Sequence, residues 1–532
     1  MNIFIYYIVS IIAGLLTFST WQTNGLIPAW CCTFVIIPIL WIENKISTKK
    51  NRRIHTLGIS FVYFFTINAF ILYWLFYCLE YLSILLYVYN AVFYSLTFYL
   101  FAEFKNRFGK KIGYLSFISL FVTLEYIQYL IPLAFPALIF GVIPATDIRF
   151  IQWYEYTGVL GGSIWVLLCN ILLFEAITNK NNRKKLSISW GLTFFIPLIF
   201  SIILYKSYKE KEHPINVVTV QPNFDPYEEK FAIKNKIQVD TMIHLAKKVA
   251  NEQTDFILLP ETCISNNIWA NNIDENEELN RLKDSVFLFA PNADIVAGVD
   301  MMEYYISQVP PSKNAHAVNE NVYIDFFNAC VLLSNHQPAQ YYKKSKLTPG
   351  SEYLPFKGTF LENWLIKLGC TAESRGRQER PSLLSSNKAQ IMPIICYESL
   401  YSEYVSKFSQ LGGDVIFIIT NDGWWKKSIG ETHHFRMAQI RSIENRRSVI
   451  RCGNTGISAA INQKGDIIQQ IPSWTQTAFS STVNKNKNTT FYSKHGDYVA
   501  VACNIINLIL ISLFFFSIFK NKKNKKNKPK NL

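Results

Sequence analysis

Residues 389–398, AQIMPIICYE, are an apolar run that ends on a thiol, Cys396, followed at once by Tyr397 and Glu398. A short, β-rich apolar run of this kind reads as a buried strand. Two other segments have a related build. TDFILLPE (254–261) is an apolar run ending on Glu261, and YYKKSKLTPGSEYLPF (341–356) places Lys343, Lys344 and Lys346, then Glu352, in a loop rich in Pro and Gly. Taken singly each is ordinary: a cysteine on an apolar strand is usually a core thiol, a glutamate after a strand a solvated turn residue, and a lysine cluster a surface face. Their combination carries the argument that follows.

Working outward, residues 214–487 alternate strand-like and helix-like segments. INVVTVQ (215–221), DIVAGVD (294–300), VYIDFFNACVLLS (322–334), DVIFIITND (414–422) and GISAAIN (456–462) read as further strands. NKIQVDTMIHLAKKVANE (235–252) and ETHHFRMAQIRSIENRR (431–447) read as helices, the second amphipathic with His433 and His434 on its surface or at a site rim. Strands outnumber helices, which suits an α/β layered domain with helices covering a sheet pair. Neither the histidines nor the cysteines have partners at metal-ligand spacing, and there is no CxxC, so no metal site is expected.

The flanks are different in kind. Half the 532 residues are hydrophobic and 17% are charged, and the apolar residues concentrate in 1–206 and 497–519. A membrane helix needs roughly 20 mostly apolar residues. Seven candidates precede the central domain, at about 3–19, 25–42, 57–79, 81–103, 112–134, 156–178 and 187–206, and one follows at about 497–519. The first lacks a basic n-region and is read as retained. Residues 135–155 carry Pro136 and Pro144 and are expected as an outer loop against the membrane interface, with Trp153, Tyr154 and Tyr156 at headgroup level. Glu125, inside the fifth candidate, is expected near a water-filled or protein-lined face.

The net charge of +15 could suggest nucleic acid. Its distribution argues otherwise. Basic residues gather in the loops after candidates 2 (Lys45 to Arg53), 4 (Lys105 to Lys111) and 6 (Lys180 to Lys185) and in the tail Lys520–Lys530, whereas the alternate loops are nearly bare. This is a topology signal that puts both termini in the cytoplasm and the central domain outside. The expected organisation is a membrane domain of seven helices (1–206), an extracytoplasmic catalytic domain (207–496), a last membrane helix (497–519) and a basic cytoplasmic tail (520–532).

In its order of Glu, Lys and Cys the central domain resembles the nitrilase superfamily. With seven spans before it and one after, the chain resembles the bacterial apolipoprotein N-acyltransferase family over most of its length. The motifs are VQPNFDPYEEKF (220–231), YKKSKLTPGSEYLP (342–355), CYE (396–398), TNDGWW (420–425), RMAQIRSIENRR (436–447) and, in the membrane part, IQWYEYTGVLGGS (151–163). The resemblance implies an α-helical transmembrane bundle of about eight spans carrying an α-β-β-α sandwich. It assigns the functional lysine three residues before Leu347 and eight before Glu352, which is Lys344. The family often has Phe-Gly before the loop glutamate and Trp near the domain start; here Gly350, Ser351 and Phe231 stand there.

The resemblance further implies a transferase in the bacterial inner membrane. Cys396 is its nucleophile, Glu261 its general base and Lys344 its oxyanion stabiliser, with Glu352, Tyr397 and Glu398 in support. Phe231, Trp424 and Trp425 would line the substrate site. A thiol must be ionised to attack; a glutamate can take its proton and return it, and an ammonium with a backbone N–H, that of Tyr397, can hold the oxyanion. The donor would be a phospholipid, the acceptor the N-terminal lipid-modified cysteine of a diacylglyceryl lipoprotein, and the intermediate a thioester. No cofactor, no metal and no nucleic acid is implied, and the enzyme is expected as a monomer. The competing reading is a membrane-anchored amidase or hydrolase using the same three residues with water.

Overall fold

A computed structural model describes residues 3–22, 25–131, 136 and 138–526; the end of the expected basic tail, 527–532, lies outside them. The helices of the first part are α1 (Ile3–Gln22), α2 (Leu26–Cys31), α3 (Ile37–Ile46), α4 (Arg52–Ile71), α5 (Phe76–Leu79), α6 (Tyr81–Phe108), α7 (Lys110–Ile127), α8 (Tyr154–Thr178) and α9 (Arg183–Ser207). The central domain adds α10 (Asn235–Lys247), α11 (Glu277–Phe287), α12 (Glu362–Lys367), α13 (Ser402–Gln410), α14 (Ile429–Asn445) and α15 (Phe491–His495), and α16 (Tyr498–Lys526) closes the chain.

Six of these, α1, α4, α6, α8, α16 and the Lys180–Ser207 stretch containing α9, are long and apolar enough to cross a membrane. This is compatible with a multi-pass membrane protein. The other two expected spans differ. Candidate 2 is broken into α2 and α3, and the side chain of Asn170 in α8 meets the backbone freed at the break: Ile36 N donates to its Oδ1 at 2.9 Å and its Nδ2 donates to the Cys32 carbonyl at 2.7 Å. Irregular backbone survives at such depth only when protein groups satisfy it. Candidate 5 is the 18-residue α7, which begins on Lys110 and Lys111 and contains Glu125.

One expectation about the bundle is corrected. Phe140–Thr146 is not an interfacial loop but a 3-10 turn buried throughout, and Trp153 and Tyr154 are buried with it; only Tyr156 is exposed. Its backbone is paired with side chains of α7 and α8. Phe140 N donates to Glu125 Oε1 at 2.8 Å and Gly141 N to Ser163 Oγ at 2.9 Å. Glu125 thus lies on a protein-lined face.

The strands are β1 (Pro214–Gln221), β2 (Phe256–Leu258), β3 (Ile264–Trp269), β4 (Asp294–Ile306), β5 (His316–Asn319), β6 (Val322–Leu333), β7 (Gln340–Lys343), β8 (Leu384–Ser385), β9 (Gln390–Ile395), β10 (Val415–Thr420), β11 (Val449–Gly453), β12 (Ser458–Ile461), β13 (Ile467–Ile471) and β14 (Thr477–Asn484). The first sheet runs β14-β1-β2-β4-β6-β5, with β3 also on β4 and β7 on β6; the second runs β13-β12-β11-β10-β9-β8. Period-2 alternation decides which residues face where. Val217, Phe256, Leu258 and Val296 share one core with Ile391, Ile416 and Ile418 of the second sheet. Val218, Ile257, Ile295 and Ala297 face the other way, onto Met242 of α10 and Leu282 of α11. Two helix layers enclose two sheets, an α-β-β-α sandwich.

The helix read as amphipathic, α14, is buried on all sides, Arg436, Arg441, His433 and His434 included. The reason is tertiary: α14 is wedged between the second sheet and α8 of the bundle. Arg436 Nη1 donates to the Trp21 carbonyl at the end of α1 (3.0 Å), Val159 N to Glu444 Oε1 (2.9 Å), and Arg446 Nε to Glu155 Oε2 (2.7 Å). At the same joint Gly158 has φ +64, and a Cβ there would lie 2.3 Å from the Tyr492 ring. Only glycine tolerates both. The motif 151–163 is therefore the seat on which the sandwich sits.

Candidate active site

β9 ends at Ile395, and the chain turns sharply into a 3-10 segment, Cys396–Leu400. Cys396 stands at the turn with φ +49. A side-chain-bearing residue in the left-handed region costs of order 1–3 kcal/mol and persists only where its surroundings hold it. They do. The Cys396 carbonyl accepts from Ser399 Oγ at 2.8 Å and from His434 Nε2 at 3.0 Å. Glu398, fully buried, accepts from Ile395 N (2.9 Å) on one oxygen and from Tyr342 Oη (2.6 Å), Ser345 N (2.7 Å) and Lys346 N (3.1 Å) on the other. Its carboxylate ties the cysteine turn to the loop that carries Lys344.

On the other side of the thiol is a closed polar set. Lys344 Nζ is 3.1 Å from Glu261 Oε1 and 2.9 Å from Glu352 Oε2, and all three side chains are largely buried. Asn328 Nδ2 donates to Glu261 Oε1 (2.7 Å) and Glu352 Oε1 (2.8 Å), so amide and ammonium together bridge the two carboxylates. Burial opposes the charge on Lys344, but Glu261 and Glu352 outweigh it and hold its pKa well above the ordinary ammonium value. Burial likewise opposes ionisation of Glu352, and Lys344 with Arg375 overcomes it, leaving that carboxyl below its usual range. Burial, reinforced by Glu261 and only partly offset by Lys344, pushes the Cys396 thiol up. The resting nucleophile is therefore a thiol that needs a base.

Glu261, Lys344, Cys396, Glu352 and Tyr397 all open on one cavity of about 560 Å³. Phe231, Trp424 and Trp425 line it as well. Trp425 packs on Trp74 of the bundle, ring centroids 4.5 Å apart, and Trp424 on Tyr227 at 5.3 Å. Glu398 alone among the nine candidate residues faces away from the cavity, into the protein. The bundle supplies a whole wall: Trp74, Leu75, Cys78, Leu79 and Leu86. The expected third span stops at Ile71 so that Tyr73–Leu75 and α5 can turn beside the site. Gly350, one of the departures from the family pattern, has φ +83, and a Cβ there would meet Leu82 at 2.9 Å, so this loop also packs on the bundle.

Three residues of the site, Asn328, Lys230 and Asp422, escaped the sequence reading, and the position of His434 behind the nucleophile did too. Asn328 lies mid-strand with no local signal. Lys230, buried, donates to the Glu261 carbonyl (3.3 Å) and to Thr262 Oγ1, and so holds the backbone of the Glu261 turn from below. His434 and Asp422 lie behind Cys396, with ligand-type atoms of the three residues all within 4.8 Å of one another. Every polar atom of that pair is committed: His434 Nδ1 is 3.0 Å from Asp422 Oδ1, Thr420 Oγ1 donates to Asp422 Oδ1 (2.7 Å), and Arg451 Nη2 donates to Asp422 Oδ2 (2.6 Å). Burial opposes the Asp422 charge, yet Arg451 and His434 hold its carboxyl well below the usual range. A guanidinium inside the cluster makes it a hydrogen-bonded brace rather than a cation site. His433 and His434, expected on the helix surface or at a site rim, both line the cavity and are buried, and His433 contacts the Trp21 carbonyl (3.2 Å). All ten cysteines are free.

Comparison with known proteins agrees with this anatomy. The carbon-nitrogen hydrolase family matches residues 220–487, and the apolipoprotein N-acyltransferase N-terminal domain matches residues 13–172. The apolipoprotein N-acyltransferase of Chlorobaculum tepidum is 27% identical over 424 residues, 76% of this chain and 77% of that one. That of Borreliella burgdorferi is 25% identical over 493 residues, 87% of this chain and 86% of that one. The solved structure of Saccharomyces cerevisiae Nit3, a member of the nitrilase superfamily, overlays 52% of this chain and 92% of its own at a TM-score of 0.38 and 14% identity. The carbon-nitrogen hydrolase family match over half the chain, joined to the match of the N-terminal domain family and to relatives along most of the length, leads to one conclusion: the chain belongs to the carbon-nitrogen hydrolase family, in its apolipoprotein N-acyltransferase branch.

Proposed function

We propose that this enzyme transfers a fatty-acyl group from a membrane phospholipid to the α-amine of the lipid-modified cysteine at a lipoprotein N-terminus, through a thioester on Cys396. The observation that carries the reading is the composition of the cavity: a thiol, a carboxylate and an ammonium on one wall, and a membrane-type helical bundle as the other. A hydrolase using water has no need of that second wall, whereas two lipid substrates do.

Glu261 takes the proton of the Cys396 thiol. The thiolate attacks the ester carbonyl, and the oxyanion is held by the Lys344 ammonium and the Tyr397 N–H. Collapse expels the lysophospholipid alkoxide, which takes the proton from Glu261 and leaves the acyl group on sulfur. The acceptor amine then attacks the thioester, Glu261 removes its proton, and the thiolate leaves and is reprotonated. Glu352 and Asn328 keep Lys344 aimed; Glu398 keeps its loop against the cysteine turn. Topology from the basic loops puts the site at the outer face of the cytoplasmic membrane, where both lipids lie in one leaflet. A monomer suffices, since one chain supplies every group named.

The test is to incubate purified enzyme with acyl-labelled phospholipid in detergent. A hydroxylamine-sensitive label on Cys396, passed on to an added diacylglyceryl peptide and lost in Cys396→Ser, is expected. An unlabelled wild-type protein, or label that survives Cys396→Ser, overturns the scheme.

A further inference from the structure

The chemistry above leaves one buried group at the nucleophile without a task. His434, 4% exposed, lies on α14, an element of neither catalytic loop. Its Nε2 is 3.0 Å from the Cys396 carbonyl oxygen. A carbonyl oxygen only accepts, so this contact requires a proton on Nε2. The ring is held from its far side by Asp422 Oδ1 at 3.0 Å from Nδ1, with Arg451 Nη2 also at 3.0 Å, and Trp425 packs against it with ring centroids 5.2 Å apart. Ser399 Oγ donates to the same carbonyl at 2.8 Å and accepts from Nε2 at 2.8 Å, so the Nε2 proton is shared between the two oxygens. The imidazole has no freedom to rotate away.

The Cys396 carbonyl belongs to the same peptide group as the Tyr397 N–H. That group is planar, and no cis peptide occurs among the described residues, so the N–H points opposite to the carbonyl. Fixing one end of the plane fixes the direction of the other. A donor bonded to the carbonyl also polarises the amide and strengthens its N–H as a donor. The turn most needs such a brace here, because Cys396 holds a left-handed φ of +49 that the backbone does not favour by itself.

We propose that His434, braced by Asp422 and Arg451, is a positioning residue that aims the Tyr397 N–H at the carbonyl oxygen of the bound acyl donor. The inference rests on the proposed acyl-transfer mechanism and adds to it a group that acts through the peptide 396–397. His434 serves the oxyanion and not the thiol, whose proton goes to Glu261.

Two replacements separate the roles. The amide nitrogen of glutamine reaches the place of Nε2 and can still donate to the Cys396 carbonyl; that of asparagine reaches only the place of Nδ1. Acylation is read from the p-nitrophenolate burst with p-nitrophenyl butyrate, which needs an oxyanion donor but no particular lipid, and in parallel from labelled phospholipid. Alkylation of Cys396 by iodoacetamide across pH reads the thiol alone, with no oxyanion. His434→Asn should slow the burst on the order of 10²-fold, the scale of one oxyanion donor, and His434→Gln by much less. Alkylation rate and its pH midpoint should match wild type in both, which also reports an intact turn. Equal losses in Asn and Gln, an unimpaired burst in Asn, or alkylation that falls in step with acylation each overturn the assignment. A wild-type burst without labelling from phospholipid overturns the lipid reading instead and leaves the His434 comparison legible.

Discussion

The two walls of the cavity are built on different principles. On the sandwich wall, Lys344, Glu261, Glu352 and Asn328 form a closed set in which each charge is bonded to another. On the bundle wall, Trp74, Leu75, Leu79 and Leu86 offer mostly apolar surface. The first must hold its geometry within fractions of an ångström, because Lys344 is the cation that two buried carboxylates share and its loss strands both. The second has only to hold shape and exclude water. In the proposed reaction, reactivity resides at strand ends of the sandwich, and the bundle serves access and chain accommodation.

The contrast breaks if the walls prove interchangeable. Glu261→Gln should lower thioester formation by about 10²–10⁴, the usual weight of a general base, while labelled iodoacetamide still reaches Cys396. Lys344→Met should lower it by about 10²–10³ and also cost stability of about 3–5 kcal/mol, since Glu261 and Glu352 would stay buried without their cation; thermal unfolding in detergent measures the second effect. Should Lys344→Met retain near-normal turnover, the polar wall is not the reactive one.

The bundle wall should respond more softly. Trp74→Ala removes the ring packed against Trp425 and should change kcat/KM for a given phospholipid by less than about tenfold, a few contacts in an apolar pocket being worth about 1–3 kcal/mol. Competition between donors of different chain length should show a broadened preference. A loss as deep as that of Glu261→Gln would mean that the bundle takes part in the chemistry.

The smallest effect sharpens the border between the walls. Glu431, in the first turn of α14, is buried and bonded to Trp474 Nε1 at 2.8 Å. Burial, with Asp422 adding to it, raises its pKa to about 7. A carboxyl raised in the folded state favours folding most below its unfolded pKa, and that advantage is lost as pH climbs through the interval up to the folded value. Melting temperature should therefore fall by a few degrees between pH 4.5 and pH 7.5, and Glu431→Gln should flatten that slope. A slope unchanged in the variant assigns it to another group.

Much of this molecule was legible from local pattern. Apolar runs of membrane length stood out because a bilayer demands them regardless of neighbours. Strands β1, β6 and β10 were readable because they are largely buried and rich in β-branched and aromatic residues. Glu261, Lys344 and Cys396 were found by motif, and the structure brings them to one cavity. What stayed hidden depends on contacts remote in sequence. α14 reads as amphipathic because its polar residues suggest solvent, yet they bond to Trp21, Val159 and Glu155 of the bundle. Residues 135–155 read as interfacial because Pro136 and Pro144 break helices, yet Glu125 and Ser163 supply the partners that let Phe140 and Gly141 lie buried.

Taken alone, the amino-acid sequence determined the class of each region and the three groups of the proposed chemistry, because hydrophobic run length, strand periodicity and a motif are properties of neighbouring residues. Only the tertiary structure decided that the bundle forms one wall of the site, that Asn328 and Lys344 bridge two carboxylates, and that His434 stands behind the nucleophile. Those facts rest on side chains up to hundreds of residues apart sharing a few ångströms, and packing sets such distances where no local pattern records them.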